Sequence, residues 1–385
     1  MRRVVIVGMG IYSSIGTNKK EVLESLRKGF CGIGMDPSRE GFNSKLTGIV
    51  PIPDKIPQHI RRYMAPQTCY MYNALSEALE DAHLECPPVN CGLIIGNDSS
   101  SQATVEAVES YSKLKRTSRL GATHVFKTLT SNPTAVLSTY FRLEGPSFSV
   151  GGACASGAHA IGVSYNLIAG GAAGGCQEVN PAATFAFDAI GTFSKSTIPK
   201  EAVKPFDKNR DGLVPSGGAA CLILAEMDWA LEQNLQIYGE IVGYGANSSN
   251  HLSKSDLNAE LECMQKALRD YSPNDVSVIS AHATGTVDGD LSEAGAILGL
   301  FDKCRPYISA TKALTGHEMW AAGSTEIVYS ILSSKAGFVP PNINTEDGSY
   351  SLNIHRDLVE VESPKFILSN SFGLGGTNSL ILIKL

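Results

Sequence analysis

The sequence predicts a duplicated, layered α/β fold with its functional site at the junction of two halves. Three observations carry that prediction. Short apolar runs of strand length alternate with stretches of helical periodicity along the whole chain. The segment Ile6-Val7-Gly8-Met9-Gly10-Ile11-Tyr12-Ser13-Ser14 is matched by Ile241-Val242-Gly243-Tyr244-Gly245-Ala246-Asn247-Ser248-Ser249. The order of elements after residue 249 then repeats the order after residue 14. No flexible linker interrupts the chain, so one compact unit is expected, with halves 1–235 and 236–385.

Residues 3–10 read as a buried strand, followed by an amphipathic helix over 20–28 and an irregular, Gly- and Pro-rich stretch over 30–66. Tyr70, Ala74, Leu75, Ala78 and Leu79 recur at helical spacing and predict a helix over 67–83. A second buried strand over 91–96 ends in the polar cluster 97–101, and a charged helical excursion runs to Leu120. Residues 124–141 are helical and lead to a strand ending at Val150. The second half predicts helices over 258–271 and 291–301, strands over 276–281, 307–309, 366–368 and 380–384, and a helix opened by Gly316.

Composition excludes several classes. With 43% hydrophobic and 18% charged residues, 385 residues suffice for a large buried core. No apolar run reaches the length of a membrane span, and the short apolar N-terminus lacks a convincing cleavage site. A cytoplasmic protein is therefore expected. Nine cysteines without C-x-x-C pairs argue against a disulfide framework or structural zinc. A net charge of −6 argues against a nucleic-acid surface. Two basic clusters stand out locally, Lys55 with Arg61 and Arg62, and Lys113 and Lys115 with Arg116 and Arg119.

The chemistry centres on 148–162, FSVGGACASGAHAIG. A strand ends at Val150, Gly151 and Gly152 form a turn, and Cys154 stands where a helical pattern begins. Unpaired N–H groups and the dipole at a helix N-terminus favour a thiolate there. Three polar, Gly-rich turns follow predicted strands in the second half: 281–286 with Gly289, Asp290 and Glu293, then 311–317, then 369–378. They bring His282, Lys312 and His317 to strand ends, the usual place for sites in open α/β sheets.

Cys-Ala-Ser-Gly-Ala-His, His-Ala-Thr-Gly-Thr, Thr-Lys-Ala-Leu-Thr-Gly-His and Ser-Asn-Ser-Phe-Gly-Leu-Gly-Gly-Thr-Asn together resemble the four signatures of β-ketoacyl-[acyl-carrier-protein] synthases. The resemblance runs in family order over nearly the whole chain and is strongest to the type I elongating enzymes. It implies the duplicated thiolase-type α/β/α/β/α layered fold. It also implies a decarboxylative Claisen condensation in fatty acid or polyene chain elongation, without metal or redox cofactor, the acyl and malonyl groups arriving on the phosphopantetheine of acyl carrier protein. Cys154 would carry the acyl group, and His282 and His317 would donate to the enolate. Lys312 and Glu293 would form a supporting charged pair. Backbone N–H groups of Cys154 and Leu374 would hold the second oxyanion, and Thr284 and Thr286 the pantetheine arm, with Phe372 beside them.

The same resemblance makes Lys55, Arg61, Arg62, Lys115, Arg116 and Arg119 candidate docking residues for an acidic carrier protein. It implies a homodimer in which Phe126, Leu129 and Thr130 line the partner's acyl pocket, or a heterodimer with a second ketosynthase-like chain. His159 and Cys176 are read as structural. Ala283 replaces a family glycine, Leu374 a gating phenylalanine, and Trp320 a glycine. Relatives carry roughly five more residues near 170–175, about 16 Å of strand, so a shortened or missing core strand is expected there. A thiolase would place a second cysteine in the last Gly-rich loop, and CoA-using synthases an asparagine for the second histidine. The remaining alternative is a non-catalytic or weakly active chain-length partner subunit.

Overall fold

The structure, a computed structural model, describes residues 3–84, 91–167, 171–346 and 349–385. One continuous mixed sheet holds eleven strands: β1 (Val4–Tyr12), β2 (Gly92–Gly96), β3 (Ser147–Val150), β4 (Gly171–Gln177), β5 (Gly218–Glu226), β6 (Gly239–Ser248), β7 (Val276–Ser280), β8 (Tyr307–Ser309), β9 (Asn353–Ile354), β10 (Phe366–Gly373) and β11 (Thr377–Lys384). Their spatial order is β9-β8-β7-β10-β11-β6-β1-β5-β4-β2-β3.

The duplication is visible in that order. In the first half β3, β2 and β4 run parallel, and β4–β5 and β5–β1 antiparallel. In the second half β8, β7 and β10 run parallel, and β10–β11 and β11–β6 antiparallel. Leaving aside the two-residue edge strand β9, each half of the sheet, numbered within itself, reads 3-2-4-5-1. The two meet where β1 and β6 pair antiparallel through Val4, Val5 and Ile6.

The glycines of the repeated sequence segment explain its survival in both copies. A Cβ on Gly10 would lie 2.0 Å from the Ala74 carbonyl oxygen, and one on Gly245 would lie 2.3 Å from that of Cys263. In each half, therefore, a covering helix sits directly on its strand: α1 (Pro66–Asp81) on β1, and α3 (Leu257–Leu268) on β6. Between the two halves of the sheet lie α2 (Ser156–Leu167) and α5 (Ala322–Lys335), and α4 (Val287–Phe301) joins α3 on the outer face.

Alternation along the strands divides the apolar residues among these layers. Val5 and Val7 pack outward with α1, whereas Val4 and Ile6 face the middle layer. That middle cluster draws Ile161 and Leu222 from one half and Ile327, Ile367 and Ile381 from the other. Val242, Cys263, Ile297 and Leu382 form the outer cluster of the second half.

Several expectations need correction. The strand expected to be shortened or missing is present: β4 has seven residues and pairs with β2 on one side and β5 on the other. Backbone ladders do not require large side chains, and here they exclude them. A Cβ on Gly174 would fall 1.9 Å from the Ala220 carbonyl oxygen, and one on Gly175 2.7 Å from that of Trp320. Gly170 and Ile168 lie outside the described residues. The single helix expected over 124–141 is two, His124–Lys127 and Asn132–Phe141, the second opened by Pro133. The irregular stretch contains a small hairpin, Ile33–Met35 with Leu46–Gly48, and a short helix, Gln58–Arg61.

Candidate active site

Four chain segments converge at the ends of β3, β7, β8 and β10. After β3, the turn Ala153–Ala155 carries Cys154 into α2. Its geometry is enforced by Ala153, which adopts φ +48°, and by the Asp98 carboxylate, which accepts from the Ala153 N–H at 3.0 Å. Ala283, directly after His282, sits at φ 22°, and Met319, two residues after His317, at φ 47°. Such strained positions persist where the surrounding structure over-determines them, and they concentrate at functional sites.

The sulfur of Cys154 lies 3.0 Å from His317 Nε2. The rings of His282 and His317 meet edge to face, 5.2 Å apart, and Phe372 stands edge-on to His282 at 6.1 Å. The backbone N–H groups of Leu374 and Cys154 lie close enough to the sulfur to favour its anion. Burial nevertheless dominates and pushes the Cys154 thiol up to about 11, so the resting group is a thiol. This corrects the expectation of a resting thiolate: the helix start stabilises an anion that desolvation does not let form.

Burial, reinforced by the Lys312 charge, holds both histidines well below their ordinary value, so both are neutral. Lys312 Nζ stands 3.5 Å from His282 Nδ1. An ammonium can only donate, so Nδ1 accepts and the ring proton sits on Nε2. His317 Nδ1 is buried without a partner. A buried N–H without an acceptor is the rarer arrangement, which assigns its proton to Nε2 as well. The site thus holds two neutral N–H donors beside one thiol. Cys154, His282 and His317 are also close enough to chelate a metal ion, and the Lys312 ammonium opposes a dication there.

The expected pairing of Lys312 with Glu293 is not found. Lys312 makes a buried ion pair with Glu326 of α5. Glu293 instead accepts from the backbone N–H of His282 at 2.8 Å and of Ala283 at 2.7 Å, and from Asn370 Nδ2 at 2.9 Å. It fixes the strained turn that presents His282. The physical reason is reach: α5 passes directly beneath Lys312, whereas Glu293 on α4 faces the turn. Glu326 was legible as a lone acid in a helix buried nearly all round, where a charge demands a partner.

Thr284 and Thr286 hydroxyls lie 2.9 Å apart on the wall of the cleft that reaches Cys154, and Leu374 lies exposed at its mouth. His159 turns away, with Nδ1 2.8 Å from the Tyr244 hydroxyl, and Cys176 is fully buried in the core. Phe126, Leu129 and Thr130 are exposed, distant in sequence from the cleft. Phe126 meets Tyr63 edge-on at 5.5 Å, which sets this segment beside Arg61 and Arg62. Lys55, Arg62, Lys115, Arg116 and Arg119 are exposed, while Arg61 spends a donor on the Pro53 carbonyl at 2.6 Å. No helix among the described residues is long and apolar enough to cross a membrane.

The model of the β-ketoacyl synthase N-terminal domain matches residues 1–230, and that of the C-terminal domain residues 238–346. The chain belongs to the β-ketoacyl synthase family. It is 36% identical over 404 residues to 3-oxoacyl-[acyl-carrier-protein] synthase 1 of Haemophilus influenzae, covering all of this chain and 99% of that one. Against the enzyme of the same name from Escherichia coli it is 34% identical, with the same coverage. Among solved structures, a β-ketoacyl synthase from Burkholderia phymatum superposes with TM-score 0.94 at 28% identity, covering 100% of this chain and 99% of that one. The ishigamide ketosynthase/chain length factor superposes with TM-score 0.90 at 25% identity, with the same coverage.

One acid in this β-ketoacyl synthase site has a pH signature. Glu318, beside His317, accepts from Thr325 Oγ1 at 2.6 Å and Tyr329 Oη at 2.9 Å. Burial, with Glu326 repelling and Lys312 attracting its charge, pushes Glu318 up to about 8 from an ordinary 4.5. A carboxyl raised in the fold stabilises it fully below the unfolded value, and that contribution is lost as pH rises through the folded value. The thermal midpoint should therefore fall between pH 5 and 8, and Glu318→Gln should flatten that slope. Equal slopes in both proteins would assign the dependence to other groups.

Proposed function

We infer that this chain is a β-ketoacyl-[acyl-carrier-protein] synthase that condenses an acyl group held on Cys154 with malonyl carrier protein. The observation that carries this is the convergence on one sulfur of two backbone N–H groups and two neutral imidazole donors. In loading, the Cys154 sulfur attacks the acyl thioester, pantetheine leaves, and the thiol proton goes with it. Malonyl carrier protein then binds and its carboxylate departs as CO₂. The electron pair of the broken C–C bond moves onto the thioester as an enolate.

His282 and His317 would donate to that enolate oxygen, stabilisation of charge where it develops. Neutral imidazoles suit the task, because they donate a hydrogen bond without surrendering the proton. The enolate carbon therefore keeps its nucleophilic pair and attacks the acyl carbonyl. The N–H groups of Cys154 and Leu374 would hold the resulting oxyanion. Its collapse expels the Cys154 thiolate, which takes one proton from water.

Acyl carrier protein is the partner this chemistry needs, and the exposed bases Lys55, Arg62, Lys115, Arg116 and Arg119 suit an acidic one. Association of two copies is supported by the free edge of β3, with Phe148 exposed, and by exposed Val125, Phe126 and Leu129 nearby in sequence. Purified protein given acyl and malonyl carrier proteins should release CO₂ and β-ketoacyl product in equal amounts. No turnover from the folded protein alone, with activity only after a second ketosynthase is added, would favour the partner-subunit reading.

A further inference from the structure

The cleft at Cys154 is lined by polar Ser253, Ser255, Asp256, Thr284 and Thr286 and by apolar Phe187, Leu213 and Met319, and these three apolar residues pack in one cluster with Cys154 itself. A thioester bound at Cys154 matches this division, its pantetheine amides toward the polar wall and its alkyl chain toward the apolar one. Behind the apolar wall stands Trp320. It is 7% exposed and belongs to the same apolar cluster as Cys154, Phe193, Leu213 and Met319. Its ring lies against Phe187 at 6.2 Å, tilted by 56°.

The indole is pinned at its far end, where Nε1 donates to Ser99 Oγ at 3.1 Å. Ser99 belongs to the loop after β2, which is itself fixed. Asn97 Nδ2 donates to the Thr130 carbonyl at 2.6 Å, and Ser100 Oγ donates to that of Lys127. To swing aside, Trp320 would leave a buried N–H unpaired. It is thus a fixed wall, set where the family resemblance places glycine.

We propose that Trp320 closes the acyl end of the cleft and limits Cys154 to short acyl chains. The proposal rests on the condensing-enzyme reading. A close-packed pocket separates substrates differing by one methylene by about 10–200-fold, and a chain reaching the indole must displace it or stay out.

The test is intact-protein mass spectrometry of Cys154 loading, using saturated acyl carrier proteins of increasing length and no malonyl donor. Loading of the unaltered protein should fall at least about tenfold at a length that Trp320→Gly still accepts. Trp320→Leu keeps an apolar side chain in the core and should shift the cut-off less. Ser99→Ala, which frees the indole, should lengthen it slightly. An identical cut-off in the unaltered protein and both Trp320 variants, with Cys154 loaded in each, would overturn the proposal alone. Failure of every protein to load at any length would overturn the condensing-enzyme reading and this proposal with it.

Discussion

Cys154→Ala should abolish acyl loading entirely, so the mass shift produced by acyl carrier protein disappears from the intact protein. Condensation should fall to background for the same reason, since among the described residues no other cysteine sulfur stands beside both histidines. Cys221 and Cys176 are fully buried in the core, and burial pushes both thiols far up. Malonyl decarboxylation should survive, because its donors, His282 and His317, are untouched. CO₂ release without ketoacyl product is the expected signature. A variant that still acquires an acyl group would identify a different nucleophile and remove Cys154 from the mechanism.

Lys312→Ala should damage stability and rate by separable routes. It strips the partner from Glu326, and breaking a buried ion pair costs about 3–5 kcal/mol. It also removes the donor that fixes the His282 proton on Nε2. Losing one aligned oxyanion donor costs about 10²–10³ in rate. The double variant Lys312→Met with Glu326→Gln separates the two effects. Its denaturation midpoint should recover most of the loss, while decarboxylation stays slow. If the double variant recovers rate along with stability, Lys312 serves the scaffold and not the His282 tautomer.

What could be read from the sequence, and what could not, follows a physical division. Cys154, His282 and Lys312 announced themselves because each lies within a few residues of a strand's end, and His317 because it closes the Gly-containing segment that Lys312 opens, both local patterns. The duplication was legible because glycines at 8, 10, 243 and 245 are required by helices lying on β1 and β6. The partner of Lys312 was not, since ion pairing depends on which helix passes beneath it. Glu293 was assigned the right neighbourhood and the wrong contact, holding the His282 backbone and not the lysine. The state of Cys154 was misread because burial outweighs the helix start, and burial is a property of the whole fold. The β4 strand was misjudged for a related reason: fewer residues than relatives carry suggested a strand shortened or missing, whereas the Gly-rich segment pairs on both sides, crowded by Ala220 and Trp320.

The middle layer has a consequence for how the molecule comes apart. Its apolar contacts interleave side chains from both halves, and a Cβ on Gly323 of α5 would lie 2.7 Å from Ala158 of α2. Neither repeat therefore encloses a core it can call its own on that side. The thiol is contributed by one repeat and its imidazoles by the other, so melting of either disassembles the chemistry together with the shared interior. Cooperativity and catalysis here have a common boundary: a form in which either repeat has unfolded keeps no working site.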